Sequence, residues 1–362
     1  MDMFDQKFYQ GKRVLVTGHT GFKGAWLCCM LAKMGAQVTG YSLEPPTEPS
    51  LFALAGVEKS VCSVIGDVRD FAHLRAVIRE TKPQVIFHLA AQPIVRESYR
   101  DPRGTYETNV MGTVNLMECV RENLAEEKSI LSVLNVTTDK VYKNNEWVWG
   151  YRENEPLDGY DPYSNSKSCS ELVTHSYCSS FFTTPDGSCL LPVSTARAGN
   201  VIGGGDFAKD RIIPDCVRAA VSGNPIVIRN PNSIRPYQHV LEPLYAYLMI
   251  AARQAENPAL AGNYNVGPDE CDCLTTGELA QLFVQSWGEG VQAEIGSSSG
   301  PHEANYLKLD CSLLKQTFGW KPRWSARTAV EKTVAWSRCW KDGADVRACV
   351  NRQIDEFLKQ NG

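Results

Sequence analysis

The chain has 362 residues, enough for about two domains at roughly 150 residues each. Its 43% hydrophobic and 22% charged residues suit a globular protein with a real core, and a net charge of -4 gives no reason to expect nucleic acid or an anionic membrane as partner. No stretch approaches about 18 uninterrupted apolar residues, which argues against a membrane-spanning helix. Residues 1–12 are polar and mixed in charge, without the apolar segment of a signal peptide, so the expected location is the cytoplasm.

In chain order, Arg13-Val14-Leu15-Val16 reads as a short strand. It runs into Thr17-Gly18-His19-Thr20-Gly21-Phe22-Lys23-Gly24 and then a helix-like segment over 25–34. Further strands are expected at 37–41, 61–65, 85–89, 130–137 and 192–198, with helices at 74–80, 108–122 and 163–181. Strands alternating with helices define an α/β fold, a Rossmann-type doubly wound parallel sheet. After Asn200 the alternation loosens, with helices at 212–222, 243–253 and 276–287 and a strand at 226–229. The expected division is therefore 1–199 as a dinucleotide-binding domain and 200–362 as a smaller α/β domain, with a return to the sheet near 238–252. Trp320, Trp324 and Trp336 read as packing residues and His239 as structural.

The 13 cysteines are scattered and odd in number, several in apolar runs (Cys28, Cys29, Cys119, Cys216), which fits reduced thiols. Cys271-Asp272-Cys273 lacks a second Cys/His pair at zinc spacing, so no metal is expected.

Gly18, Gly21 and Gly24 lie between a strand and a helix. Glycine there permits a tight turn and a close approach to a pyrophosphate, whose charge the helix N-terminus favours. His19 and Lys23 inside this loop either contact the cofactor phosphates or are solvated. The ribose-reading position holds Ser42, with neither Asp nor Arg beside it, so NAD and NADP are not distinguished by local chemistry. Asp67, followed by Val68, either accepts from an adenine amino group or caps the next helix. Leu89-Ala90-Ala91-Gln92 ends the fourth strand in small residues that let a cofactor pass close.

The strongest chemical signal is Thr138-Asp139-Lys140 at a strand end, followed by Tyr163 and Lys167. Asp161 and Pro162 suit the N-cap and first position of a helix that puts Tyr163 and Lys167 on one face. A cation beside a phenol lowers the phenol's pKa, making an acid or base near neutral pH.

The glycine loop, Asn109-Val110 with Gly112-Thr113, Tyr163 with Lys167, Arg197 to Asp206, and Arg235 to Val240 together resemble the extended short-chain dehydrogenase/reductase family over nearly the whole chain. Within it the sequence is most similar to the nucleotide-sugar 4,6-dehydratases, and the Asp139-Lys140 pair resembles the branch that takes CDP-glucose. The resemblance implies bound NAD, held also by Asn109, and a second domain that grips the nucleotide diphosphate through Asn200, Arg211, Arg229, Arg235 and His302, with Gln92 near the sugar. It implies that Tyr163 takes the proton of the sugar 4-hydroxyl, Thr138 bonds the same oxygen, and Asp139 protonates the departing 6-hydroxyl. Lys140 stands where the more familiar dehydratases have Glu. Two readings stay open for it: the base that removes the C5 proton, or a cation stabilising the enolate. The resemblance further implies a role in making deoxy sugars for cell-surface polysaccharide such as O-antigen. It also implies a homodimer or homotetramer through a four-helix bundle of the helices at 108–122 and 163–181. The competing readings are a 4-epimerase or reductase on the same fold and a non-catalytic dinucleotide sensor.

Overall fold

The computed structural model describes residues 5–288, 290–296 and 306–360. Seven parallel strands form the central sheet: β1 (Arg13–Thr17), β2 (Gln37–Ser42), β3 (Cys62–Ile65), β4 (Val85–His88), β5 (Ser132–Thr138), β6 (Val193–Ala198) and β7 (Asn263–Val266). Their order is β7-β6-β5-β4-β1-β2-β3, so the strand order reverses between β1 and β4. Every residue of β4, β5 and β6 is buried, as a parallel sheet covered on both faces requires. Ligands of such sheets bind outside the carboxyl ends of the strands at the reversal point, which is where the glycine loop and Thr138 stand.

One face of the sheet is covered by α1 (Phe22–Lys33) and α5 (Leu241–Glu256), whose apolar residues share a core with those of β1 and β4. The other face packs on α2 (Phe71–Thr81) and α3 (Gly112–Glu126), with Tyr177, Cys178 and Phe182 from the end of α4 (Pro162–Phe181). A third core joins the helices Ile212–Ser222, Thr276–Trp287 and Ala326–Lys341 around the short strand Ile226–Ile228.

The return segment is longer than the expected 238–252. Helix α5 is buried along nearly its whole length, and the chain then adds β7 beside β6. The C-terminal helix Val346–Lys359 also packs into the first core, and Arg347 donates to Ala55 O (3.2 Å) and Ser60 Oγ (2.8 Å). A division at 199/200 therefore does not follow the cores, because the first core draws on chain beyond residue 240. The helix expected at 108–122 opens instead with a π-helical turn, Glu107–Met111, and α3 runs on to Glu126. Trp320, Trp324 and Trp336 are buried, and His239 packs against Trp26 and Trp324.

Candidate active site

At the end of β1 the chain turns through Gly18, whose φ of +77° suits glycine. A Cβ on Gly18 would stand 2.8 Å from Ala90 N, and one on Gly24 would stand 2.1 Å from Gly18 O. The loop thus needs its glycines to hold β1, α1 and the end of β4 together. The α1 N-cap, Gly21, has no side-chain cap, so the first helical amides are open to an anion. This cradle fits a dinucleotide pyrophosphate. Thr17 Oγ1 pairs with His88 Nδ1 (2.8 Å) and accepts from Leu89 N and Ala90 N (3.2 Å each), fixing the small residues that precede Ala91.

His19 is not a solvated loop residue. Its ring is buried under Gly40, meets the edge of Phe52, and bonds Ser63 Oγ through Nε2 at 2.7 Å. Burial lowers its pKa to about 4, so it is neutral at pH 7. Lys23 is half-buried rather than free in solvent. It turns inward from α1 over the Tyr247 ring, 5.9 Å from its centroid. Its pKa is lowered to about 7 by burial and the Arg211 charge, with Asp139 pulling the other way. Phe22, half-buried, starts α1 beside it.

At the far end of the crevice, Ser42 Oγ bonds Thr20 Oγ1 at 2.8 Å. Asp67 is forked by Arg69 (2.9 and 2.5 Å), which holds its carboxyl below the usual range. It lines a cleft of about 500 Å³ with Arg69, Asp70, Glu107 and Met111. The cap of α2 is Asp70, which accepts from His73 N at 3.0 Å, so the capping alternative for Asp67 is excluded. Val68 packs beneath Gly112. The Asn109 side chain is spent inside the protein: Oδ1 accepts from Gln92 N (2.8 Å), and Nδ2 donates to Gln92 O (3.1 Å) and Ser166 Oγ (2.9 Å). The Gln92 side chain is engaged with Thr105 Oγ1 (2.9 Å) and Ile94 N (2.6 Å).

The reactive groups meet where β5 ends and α4 begins. Asp161 caps α4, accepting from Ser164 N at 3.0 Å, and Pro162 takes the first position, as the sequence leads one to expect. This sets Tyr163 near Thr138. Burial pushes Tyr163 up to about 12. The main opposing influences are the Thr138 hydroxyl and the Arg211 charge, rather than Lys167 as the spacing suggests. Lys167 Nζ donates to Val136 O at 3.0 Å, and burial lowers its pKa to about 8 while Glu171 raises it.

Asp139 is buried, and its Oδ1 accepts from Thr138 Oγ1 at 3.0 Å. Its Oδ2 has no partner among the described residues. Burial raises its pKa, while Lys140, the Thr138 bond, Arg235 and Lys23 lower it. A carboxyl raised by burial can carry a proton to a leaving group. Lys140, half-buried in the turn Asp139–Val141, follows directly.

Two of the arginines act on this cluster: Arg211 on Tyr163 and Lys23, and the buried Arg235 on Asp139. Arg211 pairs with Asp206 at 3.0 Å. Arg229 is drawn into ion pairs with Asp210 (3.2 Å) and Asp215 (3.3 Å), so its charge is already matched. Asn200 O accepts from Gln238 N at 3.0 Å, where the chain leaves β6. His302 lies outside the described residues.

Sequence reasoning missed Glu171 and Tyr247. Glu171 is wholly buried and pairs with Arg197 at 3.0 Å, and it accepts from Thr137 and Thr195. Its signal was available, since it stands four residues beyond Lys167 on the same helical face. Tyr247 lay hidden in the apolar run of α5.

Residues 15–333 match the family model for GDP-mannose 4,6 dehydratase. The chain belongs to this family of nucleotide-sugar dehydratases. It is 48% identical to the CDP-glucose 4,6-dehydratase of Salmonella typhimurium, covering 98% of this chain and 99% of that protein. Identity to a dTDP-glucose 4,6-dehydratase of Xanthomonas campestris pv. campestris is 26%, over 91% of this chain and 95% of that one. Among solved structures, the dTDP-glucose 4,6-dehydratase of Bacillus anthracis in complex with NAD superposes with a TM-score of 0.76 at 22% identity, covering 92% and 99% of the two chains. The UDP-glucose 4-epimerase of Thermus thermophilus, in complex with NAD, gives 0.76 at 25% identity over 90% and 99%.

Proposed function

We propose that this protein converts CDP-glucose to CDP-4-dehydro-6-deoxyglucose and water, as an NAD-dependent hydro-lyase. One observation carries the reading: Thr138 and Tyr163, which can handle the 4-hydroxyl, adjoin a second acid/base pair, Asp139 and Lys140. A 4-epimerase has no elimination for that pair to run. The full-length likeness to a CDP-glucose 4,6-dehydratase supports the nucleotide assignment.

Bound NAD supplies the acceptor for the C4 hydride and the donor that returns it to C6. The glycine loop and the uncapped N-terminus of α1 hold its pyrophosphate. Tyr163 takes the 4-hydroxyl proton as its phenolate, the form that the Arg211 charge favours, and Thr138 steadies the same oxygen. The resulting C4 ketone acidifies the C5 proton, which Lys140 removes. Asp139 gives its proton to the departing 6-hydroxyl, which leaves as water, and a proton returns from Lys140 to C5 as the hydride reaches C6. Each such transfer is worth roughly two to four powers of ten in rate. Arg211 and Arg235 are placed to hold the nucleotide diphosphate. The 4-keto-6-deoxy product suits the making of deoxy sugars for cell-surface polysaccharide.

Helix α4 carries the half-exposed Leu172 and Phe181, and the half-exposed Met111 stands just before α3. This apolar face supports assembly through a four-helix bundle into a homodimer or a homotetramer. The purified protein should turn over CDP-glucose with NAD to a 4-keto-6-deoxy sugar, detected by its alkaline absorbance, and should sediment above the mass of one chain. Turnover of another nucleotide sugar but not CDP-glucose would contradict the substrate assignment, and a monomeric mass would contradict the bundle.

A further inference from the structure

Buried tyrosines in this protein satisfy their hydroxyls. Tyr9 donates to Leu248 O (2.7 Å), Tyr41 to Asp67 O (2.9 Å), Tyr142 to Asn265 Oδ1 (2.6 Å) and Tyr264 to Leu260 O (2.6 Å). Tyr247 does not follow this pattern: it is fully buried in α5, and its hydroxyl has no partner among the described residues. An unsatisfied buried hydroxyl is a cost that phenylalanine would avoid. The phenol lies within electrostatic reach of both Tyr163 and Asp139, and the Lys23 ammonium stands over its ring. A second buried atom of this cluster is also unpartnered, Asp139 Oδ2. One orphan is a donor and the other an acceptor.

We propose that Tyr247 is a positioning residue for the elimination, its hydroxyl donating to Asp139 Oδ2 when substrate fills the pocket. With Thr138 already donating to Oδ1, the carboxyl is then held from both sides. The two donors stabilise the carboxylate that forms as the proton passes to the departing 6-hydroxyl. Lys23 flanks the phenol, and its charge favours the ionised carboxyl. Three segments far apart in sequence (α1, the end of β5 and α5) thus converge on one acid. The inference rests on Asp139 acting as the acid of the proposed reaction.

Tyr247→Phe keeps the ring and removes only the oxygen. With CDP-glucose and NAD at saturation, rapid mixing separates C4 oxidation, seen as reduced nicotinamide, from elimination, seen as release of the 4-keto-6-deoxy product. The expected result is oxidation within about twofold of the parent and elimination slowed by roughly 10- to 100-fold, less than the loss from removing the acid itself. Reduced nicotinamide should therefore accumulate. Tyr245→Phe, two positions away and packed on Phe357 and Arg323, should show no accumulation. Unchanged elimination in Tyr247→Phe, or an equal slowing of both steps, overturns the inference. Asp139→Asn tells the two failures apart. If it blocks elimination while Tyr247→Phe does not, only the role of Tyr247 falls; if it eliminates normally, the assignment of Asp139 falls as well.

Discussion

Glu171 shows how one side chain can serve stability and chemistry together. Its carboxylate takes a two-pronged bond from Arg197 (3.0 Å to each oxygen) and hydroxyl bonds from Thr137 and Thr195, so it ties α4 to β5 and β6. It also raises the pKa of Lys167 one turn away. A buried ion pair contributes little over an apolar replacement, but removing one partner strands the other charge. Glu171→Gln should cost about 3–5 kcal/mol in urea unfolding at neutral pH, and a loss under about 1 kcal/mol would show that Arg197 finds another partner. The proposed reactive residues were legible as a group in sequence because their spacing is local: Tyr163 and Lys167 share a helix face, and Thr138 to Lys140 are contiguous. Glu171 shared that signal and was passed over. Tyr247 could not be found this way, since nothing in an apolar helix marks which side chain will face a carboxylate.

Among the elements, the six strands up to Ala198 and the longer helices between them were legible from apolar runs punctuated by glycine, whereas the short helices Leu51–Leu54, Val95–Arg100 and Pro102–Tyr106 were not. The strand Asn263–Val266 was not, because its burial depends on β6 beside it rather than on its own pattern. The π-helical turn at Glu107–Met111 was also hidden; it brings Asn109 to the Gln92 backbone, a tertiary contact with no local signature. At the end of β4, His88 bonds Thr17 across to β1 and is wholly buried. Burial and the Lys167 charge lower its pKa to about 3 from an ordinary 6.5. The unfolded chain therefore binds a proton that the folded one refuses. Stability due to this group is intact above pH 6.5 and is lost as pH falls toward about 3. His88→Gln should make unfolding free energy fall less steeply between pH 6 and 4, by about 1.4 kcal/mol per pH unit. Parallel acid-unfolding slopes for the two proteins would show that His88 titrates normally.

At the scale of the whole molecule, the chain is laid out so that separate segments supply separate parts of one reaction. In the proposed reaction the first crossover holds the cofactor cradle, and the end of β5 with the start of α4 holds the proton-transfer groups. The segment after β6 brings Arg211 and Arg235 to the same crevice. The return through α5 and β7 and the C-terminal helix Val346–Lys359 seal the sheet from beneath. The return to the sheet near 238–252 was readable as an apolar run, but its extension through β7 and the C-terminal helix was not, since that depends on which face of the sheet the later elements cover. The central claim is a division of labour, with Thr138, Tyr163 and Lys167 serving oxidation and Asp139 and Lys140 serving elimination. The most direct test is Lys140→Ala mixed with CDP-glucose and NAD in heavy water. The account predicts that reduced nicotinamide still forms while deuterium fails to enter C5 and no 4-keto-6-deoxy product appears. Deuterium entering C5 at the parent rate in that variant would contradict it.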